Sequence, residues 1–167
     1  MTEITLQGKV MQVSGELPVV GELAPEFSLV NRKLQTVNLS AFEGKVKLLN
    51  VVPSLDTPVC AASARWFNEK VVGFNNTVIL NISADLPFAQ DRFCKHEGLK
   101  NIFPLSGFRT SFAVDYGVEM TTGVLAGLMA RAVLIIDEFN TVRYTQLVAE
   151  ITEEPDYKEI IEVLRQL

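Results

Sequence analysis

Two cysteines, Cys60 and Cys94, are the side chains of this sequence best suited to covalent chemistry. Cys60 closes the stretch Pro53-Ser54-Leu55-Asp56-Thr57-Pro58-Val59-Cys60, in which an apolar run ends, a proline-rich turn follows and a helical pattern begins. A cysteine in the first turn of a helix meets unpaired backbone N–H groups and the positive end of the dipole, both of which favour a thiolate. Thr57, three residues earlier, can cap that helix and bring its hydroxyl near the sulfur. Placement alone leaves two readings open, a reactive thiol or an inert buried one, since free cysteine is among the most buried residue types. Cys94 taken by itself reads as a buried helix residue. His96, the only histidine, stands two residues from Cys94 and so off its helix face. It reads as a last-turn residue favoured by the dipole, not as a ligand or base. Arg131 opens an apolar strand and by itself reads as a solvated strand-end arginine, with Arg65, Arg92 and Arg109 as competitors for any active-site role. Gly123 and Gly127 lack the G-K-[ST] ending and the preceding strand of a phosphate loop. They read as part of a mobile apolar wall near the site, with Leu128 and Met129.

The elements that must position these residues follow from periodicity and punctuation. Ile4–Leu6 and Lys9–Val13 flank Gly8 as a hairpin, and Phe27–Val30 with Thr36–Leu39 form a second one around Asn31-Arg32-Lys33. Val46–Val52 is a nearly unbroken apolar run, as expected of a central strand covered on both faces. The residues after Pro58 repeat apolar side chains at Val59, Ala62, Trp66, Phe67 and Val71, a helical spacing. Thr77–Ser83 is another buried strand. Pro87 opens the next helix behind Asp85 or Leu86, and Gly98 stops it after Lys95 and His96. Residues 101–127 carry only short regular pieces, around Ile102–Leu105 and Phe108–Tyr116. Ala132–Ile136 is a third core strand, Thr141–Val148 returns beside it, and a last helix from Pro155 shows Tyr157, Ile160, Ile161 and Leu164 on one face. A βαβ half joined to a ββα half is the order of a thioredoxin-like α/β fold: a central mixed sheet flanked by helices, with an N-terminal β-hairpin extension.

Composition narrows the function classes. A chain of 167 residues with 48% apolar and 21% charged residues suits one domain over residues 1–167 and rules out a disordered role. The net charge of −5, with no basic stretch, excludes nucleic acid as the expected partner. No apolar run reaches the roughly 18 residues of a membrane span. The start shows no basic segment followed by an apolar one, so a cytoplasmic location is expected. There, two cysteines form neither a disulfide scaffold nor a thiolate zinc site, and any disulfide is transient and catalytic.

The spacing of Pro53, Thr57 and Cys60, P-x-x-x-T-x-x-C, resembles that of peroxiredoxins, thiol-dependent peroxidases on a thioredoxin fold. Further motifs are similar to the thiol peroxidases among them, the atypical two-cysteine type. They are Asp85-Leu86-Pro87-Phe88-Ala89-Gln90 with Arg92-Phe93-Cys94, Ala130-Arg131-Ala132-Val133, Gln146-Leu147-Val148 and Glu154-Pro155-Asp156-Tyr157. The resemblance implies that Cys60 attacks a hydroperoxide and becomes a sulfenic acid, and that Cys94 resolves it as an intramolecular disulfide. It further implies that thioredoxin resets the pair, that Arg131 and Thr57 assist the attack, and that Pro53 shields the sulfur. No metal, haem or flavin is implied. Hydrogen peroxide and organic hydroperoxides are the implied substrates, in an antioxidant role, and the chain is expected to form a homodimer with the Cys60 loop near the partner.

Physical need agrees with this assignment of roles. Lowering a cysteine pKa from about 8.5 to about 5.5 raises the thiolate fraction at pH 7 roughly 30-fold. A Brønsted slope of about 0.45 weakens the nucleophile roughly 20-fold over the same shift. The two nearly cancel, so the site must stabilise the transition state with donors aimed at the peroxide oxygens. The rival enzyme is a thioredoxin-like disulfide reductase, which wants a second thiol where Ser63 stands and leaves Cys94 without a role. A non-enzymatic redox sensor is the rival from another class. A cysteine hydrolase is weaker, because the lone histidine neighbours the wrong cysteine.

Overall fold

A computed structural model describes residues 2–167. The first hairpin pairs β1 (Thr2–Leu6) with β2 (Lys9–Val13) around Gln7 and Gly8, both at positive φ, as a tight two-residue turn requires. The main sheet has seven strands: β3 (Ser28–Val30), β4 (Thr36–Asn38), β5 (Val46–Val51), β6 (Thr77–Ser83), β7 (Ile102–Ser106), β8 (Ala132–Ile136) and β9 (Val142–Leu147). Their order is β4-β3-β7-β6-β5-β8-β9. β5, β6 and β7 are mutually parallel, and the remaining pairings are antiparallel, so the sheet is mixed as expected.

The helices are α1 (Pro58–Lys70), α2 (Pro87–Glu97), the single turn α3 (Phe112–Asp115) and α4 (Tyr157–Arg165). Alternation along the buried strands divides the core in two. Leu48, Ile79, Val133 and Ile135 face Ala64 and Phe67 of α1, Cys94 of α2, and Ile160 and Leu164 of α4. Leu49, Val51, Leu80, Ile82 and Leu134 face the other way, onto Phe27, Phe112 and Tyr116. α4 buries Ile160 and Leu164 and half-buries Tyr157 and Ile161, the face its spacing predicts.

One element departs from the sequence reading. Ile102–Ser106 is a full strand of the sheet, hydrogen-bonded parallel to β6 from Ile79↔Ile102 to Ser83↔Ser106. Five residues with a central Pro104 carry little strand signal by themselves. Pairing on both sides, with β6 and β3, makes the strand.

Candidate active site

β5 and β6 lie side by side and parallel, so their carboxyl ends open onto neighbouring loops, the usual place for a site in such a sheet. Residues 52–57 leave β5 and turn into α1. Thr57 has the extended dihedrals of an N-cap, and its carbonyl accepts from the Ala61 N–H at 3.0 Å. Its side chain does not cap the helix as the sequence led us to expect. Thr57 Oγ1 donates to the Ser54 carbonyl at 3.0 Å, across the turn that the Thr57 N–H closes on the same carbonyl at 3.2 Å. The hydroxyl therefore braces the turn, while Thr57 still lines the cavity above the thiol.

Cys60 is the third residue of α1 and has no exposed surface. It packs with Val52, Leu55 and the half-buried Phe93. Arg131 Nη1 donates to Cys60 Sγ at 3.2 Å. Arg131 immediately precedes β8 and is 2% exposed, so the solvated strand-end reading does not hold. Its Nε donates to the Ile151 carbonyl at 3.0 Å, which fixes the guanidinium plane. Ile151 is in turn tied to the N-terminal hairpin: its N–H donates to the Thr5 carbonyl at 2.9 Å, and the Thr5 N–H to Ala149 at 2.8 Å. The hairpin extension thus holds the arginine. The other arginines are engaged elsewhere. Arg65 pairs with Glu97 at 3.3 Å, Arg109 lies 5.0 Å from the centre of the Phe108 ring, and Arg92 sits in a surface hollow with Asp56 and His96.

Above the Cys60 turn lies a cavity of about 220 Å³. Pro53, Thr57, Val59 and Arg131 contribute to its lining, with Leu6 from the hairpin and Leu125, Leu128 and Ile151 as an apolar wall. The expected wall between Gly123 and Met129 is therefore present in Leu125 and Leu128. Met129 is not part of it, being buried in the main core beneath the sheet.

Ser63 stands where a second thiol of a C-x-x-C motif would be. It is fully buried, its hydroxyl donates to the Cys60 carbonyl at 3.0 Å, and it accepts from Asn50 Nδ2 at 3.3 Å. It is a structural link between β5 and α1.

Cys94 is 2% exposed, lies in the helix-side core, and is not bonded to Cys60. Burial pushes its thiol up to about 11, with Arg32 pulling down and Asp91 pushing up more weakly. Phe93 packs against both the Cys60 cluster and the core around Cys94. α2 starts beside the Cys60 turn, where Asp85 binds Ser54 and Leu55. Cys94 lies only about 10 Å along the helix axis from that start. Asp85 entered the sequence analysis as a helix-start signal and as part of the family motif ahead of Cys94, with no role of its own. Leu86 is the N-cap residue, and the Asp85 carboxylate instead takes donors from Ser54, Leu55 and Ser83. A serine and an aspartate two residues apart, just past a buried strand, were the available signal.

A thioredoxin-like sheet with a buried thiol at the first helix and an arginine on its sulfur defines a thiol-based redox protein. The family model described as Redoxin matches residues 19–161. The thiol peroxidase of Mycobacterium tuberculosis (strain ATCC 25618 / H37Rv) is 48% identical over 164 residues, covering 98% of this chain and 99% of that protein. That of Corynebacterium glutamicum is 48% identical over 157 residues, covering 94% and 95%. The crystal structure of a peroxiredoxin-like protein from Aquifex aeolicus superposes with a TM-score of 0.93 at 39% identity, covering 99% of this chain and 97% of that one. The chain belongs to the thiol peroxidases of the Redoxin family, thiol-dependent peroxidases on a thioredoxin-like fold.

Proposed function

We propose that Cys60 reduces hydrogen peroxide and organic hydroperoxides, and that Cys94 then completes an intramolecular disulfide which thioredoxin reopens. The observation that carries this reading is the Arg131 N–H donor 3.2 Å from Cys60 Sγ, beside a mainly apolar cavity of about 220 Å³. The Cys60 thiolate attacks one peroxide oxygen, the O–O bond breaks, and the electron pair leaves with the other oxygen, which takes up a proton. Cys60 is oxidised to the sulfenic acid and ROOH is reduced to ROH. Arg131 Nε is committed to Ile151, so its remaining N–H groups serve sulfur and peroxide together. The apolar wall of Leu125 and Leu128 favours alkyl hydroperoxides over more polar substrates.

In the second step Cys94 sulfur displaces the sulfenic oxygen as water, forming the S–S bond. An external dithiol then attacks Cys94, and Cys60 leaves as a thiolate beside the Arg131 donor. The dithiol ends as a disulfide and both cysteines return as thiols. The test is NADPH consumption with thioredoxin, thioredoxin reductase and cumene hydroperoxide or hydrogen peroxide. Turnover that disappears in Cys60→Ser is expected. Insulin reduction without peroxide consumption would instead favour a disulfide reductase.

A further inference from the structure

The loops that follow β5 and β6 are joined by one carboxylate. Asp85 is half-buried, two residues ahead of Pro87 at the start of α2. Its Oδ1 accepts from Ser54 Oγ at 2.9 Å, and its Oδ2 from the Leu55 N–H at 2.9 Å and Ser83 Oγ at 2.7 Å. Its backbone is held as well: the Asp85 carbonyl accepts from Ser106 Oγ at 2.6 Å. Behind it, fully buried Gln90 donates through Nε2 to Ser83 Oγ at 3.0 Å and to the Leu105 carbonyl at 2.9 Å. The first half of α2 is therefore pinned to β6 and β7, and the pinned end reaches out to the turn that carries Cys60.

We propose that Asp85 is a positioning residue for the peroxide reaction, tethering the Ser54–Thr57 turn to the start of the Cys94 helix. The proposal rests on the peroxidase reading given above. Ser54 and Leu55 open the turn whose far end is Thr57, and Thr57 is itself hydrogen-bonded to the Ser54 carbonyl. Fixing Ser54 thus fixes the entry angle of α1 and the place of Cys60 against Arg131. A carboxylate suits this task, because its two oxygens take the three donors that converge on them. Misplacing a reacting group by about 1 Å can cost on the order of 100-fold in rate.

The tether also makes a prediction that a purely structural role does not. The same bonds that align Cys60 for peroxide restrain it from leaving its place toward Cys94. Releasing them is expected to slow the first step and to leave the second unchanged or faster. In Asp85→Ala the second-order rate with peroxide is expected to fall about 10- to 100-fold. Ser54→Ala, which removes one donor and keeps the carboxylate, gives a smaller fall in the same direction. The double variant is expected to be no slower than Asp85→Ala, because both changes break one connection.

Stopped-flow measurement of sulfenic acid formation and of disulfide closure reads the two steps separately. Hydrogen exchange of the reduced proteins reads the tether without peroxide, with faster exchange expected over residues 54–61. A peroxide step within twofold of wild type in folded Asp85→Ala, parallel slowing of both steps, or multiplicative losses in the double variant would each overturn the proposal. So would unchanged exchange over residues 54–61. If Asp85→Ala does not fold, Ser54→Ala and the exchange of its turn decide. If wild-type protein itself leaves peroxide intact, the peroxidase reading fails, and the tether stands or falls on the exchange data.

Discussion

Arg131 makes two bonds that a lysine cannot make together: Nε to the Ile151 carbonyl and Nη1 to Cys60 Sγ. In the proposed attack the planar fork lets one nitrogen orient the group while another meets the shifting charge. Removing such a donor costs roughly 3–4 kcal/mol of transition-state stabilisation, so Arg131→Ala is expected to lose about 100- to 1000-fold in the peroxide rate. Arg131→Lys is expected to recover little of it. A near-wild-type rate in either variant would remove Arg131 from the mechanism. In the proposed cycle the burial of Cys94 governs the second step. Its thiol is pushed up to about 11, so only about one molecule in 10,000 holds the thiolate at pH 7 in the closed fold. Disulfide closure is therefore expected to speed with rising pH. The same shift sets a stability window, since the neutral thiol is the form the fold favours. Its contribution is full below about 9, the ordinary value, and is lost as pH climbs to about 11. Comparing alkaline denaturation of reduced wild type with Cys94→Ala isolates it from buried Tyr116 and Tyr144 and half-buried Tyr157, which desolvation also pushes up.

The two helices that carry the thiols are coupled through more than Asp85. Arg65 of α1 pairs with Glu97 of α2, and Phe93 fills the space between the two apolar clusters. Both cysteines are buried and unbonded, and closing the proposed disulfide is expected to move backbone, either in the first turn of α1 or around Cys94. Closing a loop of about 35 residues stabilises the oxidised chain by roughly 3–4 kcal/mol in the chain-entropy estimate, and the lost packing offsets part of that. Amides over residues 60–64 and 90–97 are expected to be protected in the reduced protein, with exchange rising in at least one segment on oxidation. Identical exchange in both redox states would defeat this account. Gly98, at a φ of +68°, ends α2 with a left-handed cap, so a break beyond Cys94 is already built into the chain.

Across the whole molecule, the N-terminal hairpin is part of the active-site frame. Glu150 accepts from the Gly8 N–H at 3.0 Å and the Thr152 N–H at 3.1 Å, and these bonds hold its carboxyl down at about 2. Its contribution to stability is present above about 4.5 and is lost as pH falls toward about 2. Glu150→Gln is expected to flatten the acid unfolding curve in that window. Because Ile151 is the next residue and orients Arg131, the same variant is expected to slow the peroxide step. An unchanged curve and rate would disconnect the hairpin from the site. A second prediction concerns association. Leu86, Phe88 and Val124 are 51%, 68% and 87% exposed, the first two at the start of α2 close to the Cys60 turn. If the chain forms the homodimer that the resemblance implies, with the Cys60 loop near the partner, Phe88→Glu is expected to weaken it in sedimentation, and a monomeric wild-type protein would overturn that expectation. Chiefly cross-linked dimers on non-reducing gels after peroxide would show that the disulfide is intermolecular.

Where local chemistry is sufficient, the sequence by itself determined the outcome. Thr77–Ser83 is a strand between the residues its apolar run marks, and α2 runs from Pro87 to a stop at Gly98 as those two residues dictate. Cys60 enters the first turn of a helix because a strand, a proline-rich turn and a helical repeat must follow one another there. What long-range pairing governs was decided by the tertiary structure. Ile102–Ser106 is a strand because β6 and β3 offer it partners on both sides. Arg131 rather than Arg65, Arg92 or Arg109 meets the thiol because β8 pairs antiparallel with β5, setting Ala132 against Val51 and so Arg131 beside the exit toward Cys60. Thr57 braces its turn and does not cap its helix: its hydroxyl donates to the Ser54 carbonyl that the folded turn brings to 3.0 Å. Asp85 became an anchor because two parallel strands end side by side. Hydrogen bonds between residues about 30 positions apart have no local signature, and only the folded sheet brings their donors and acceptors together.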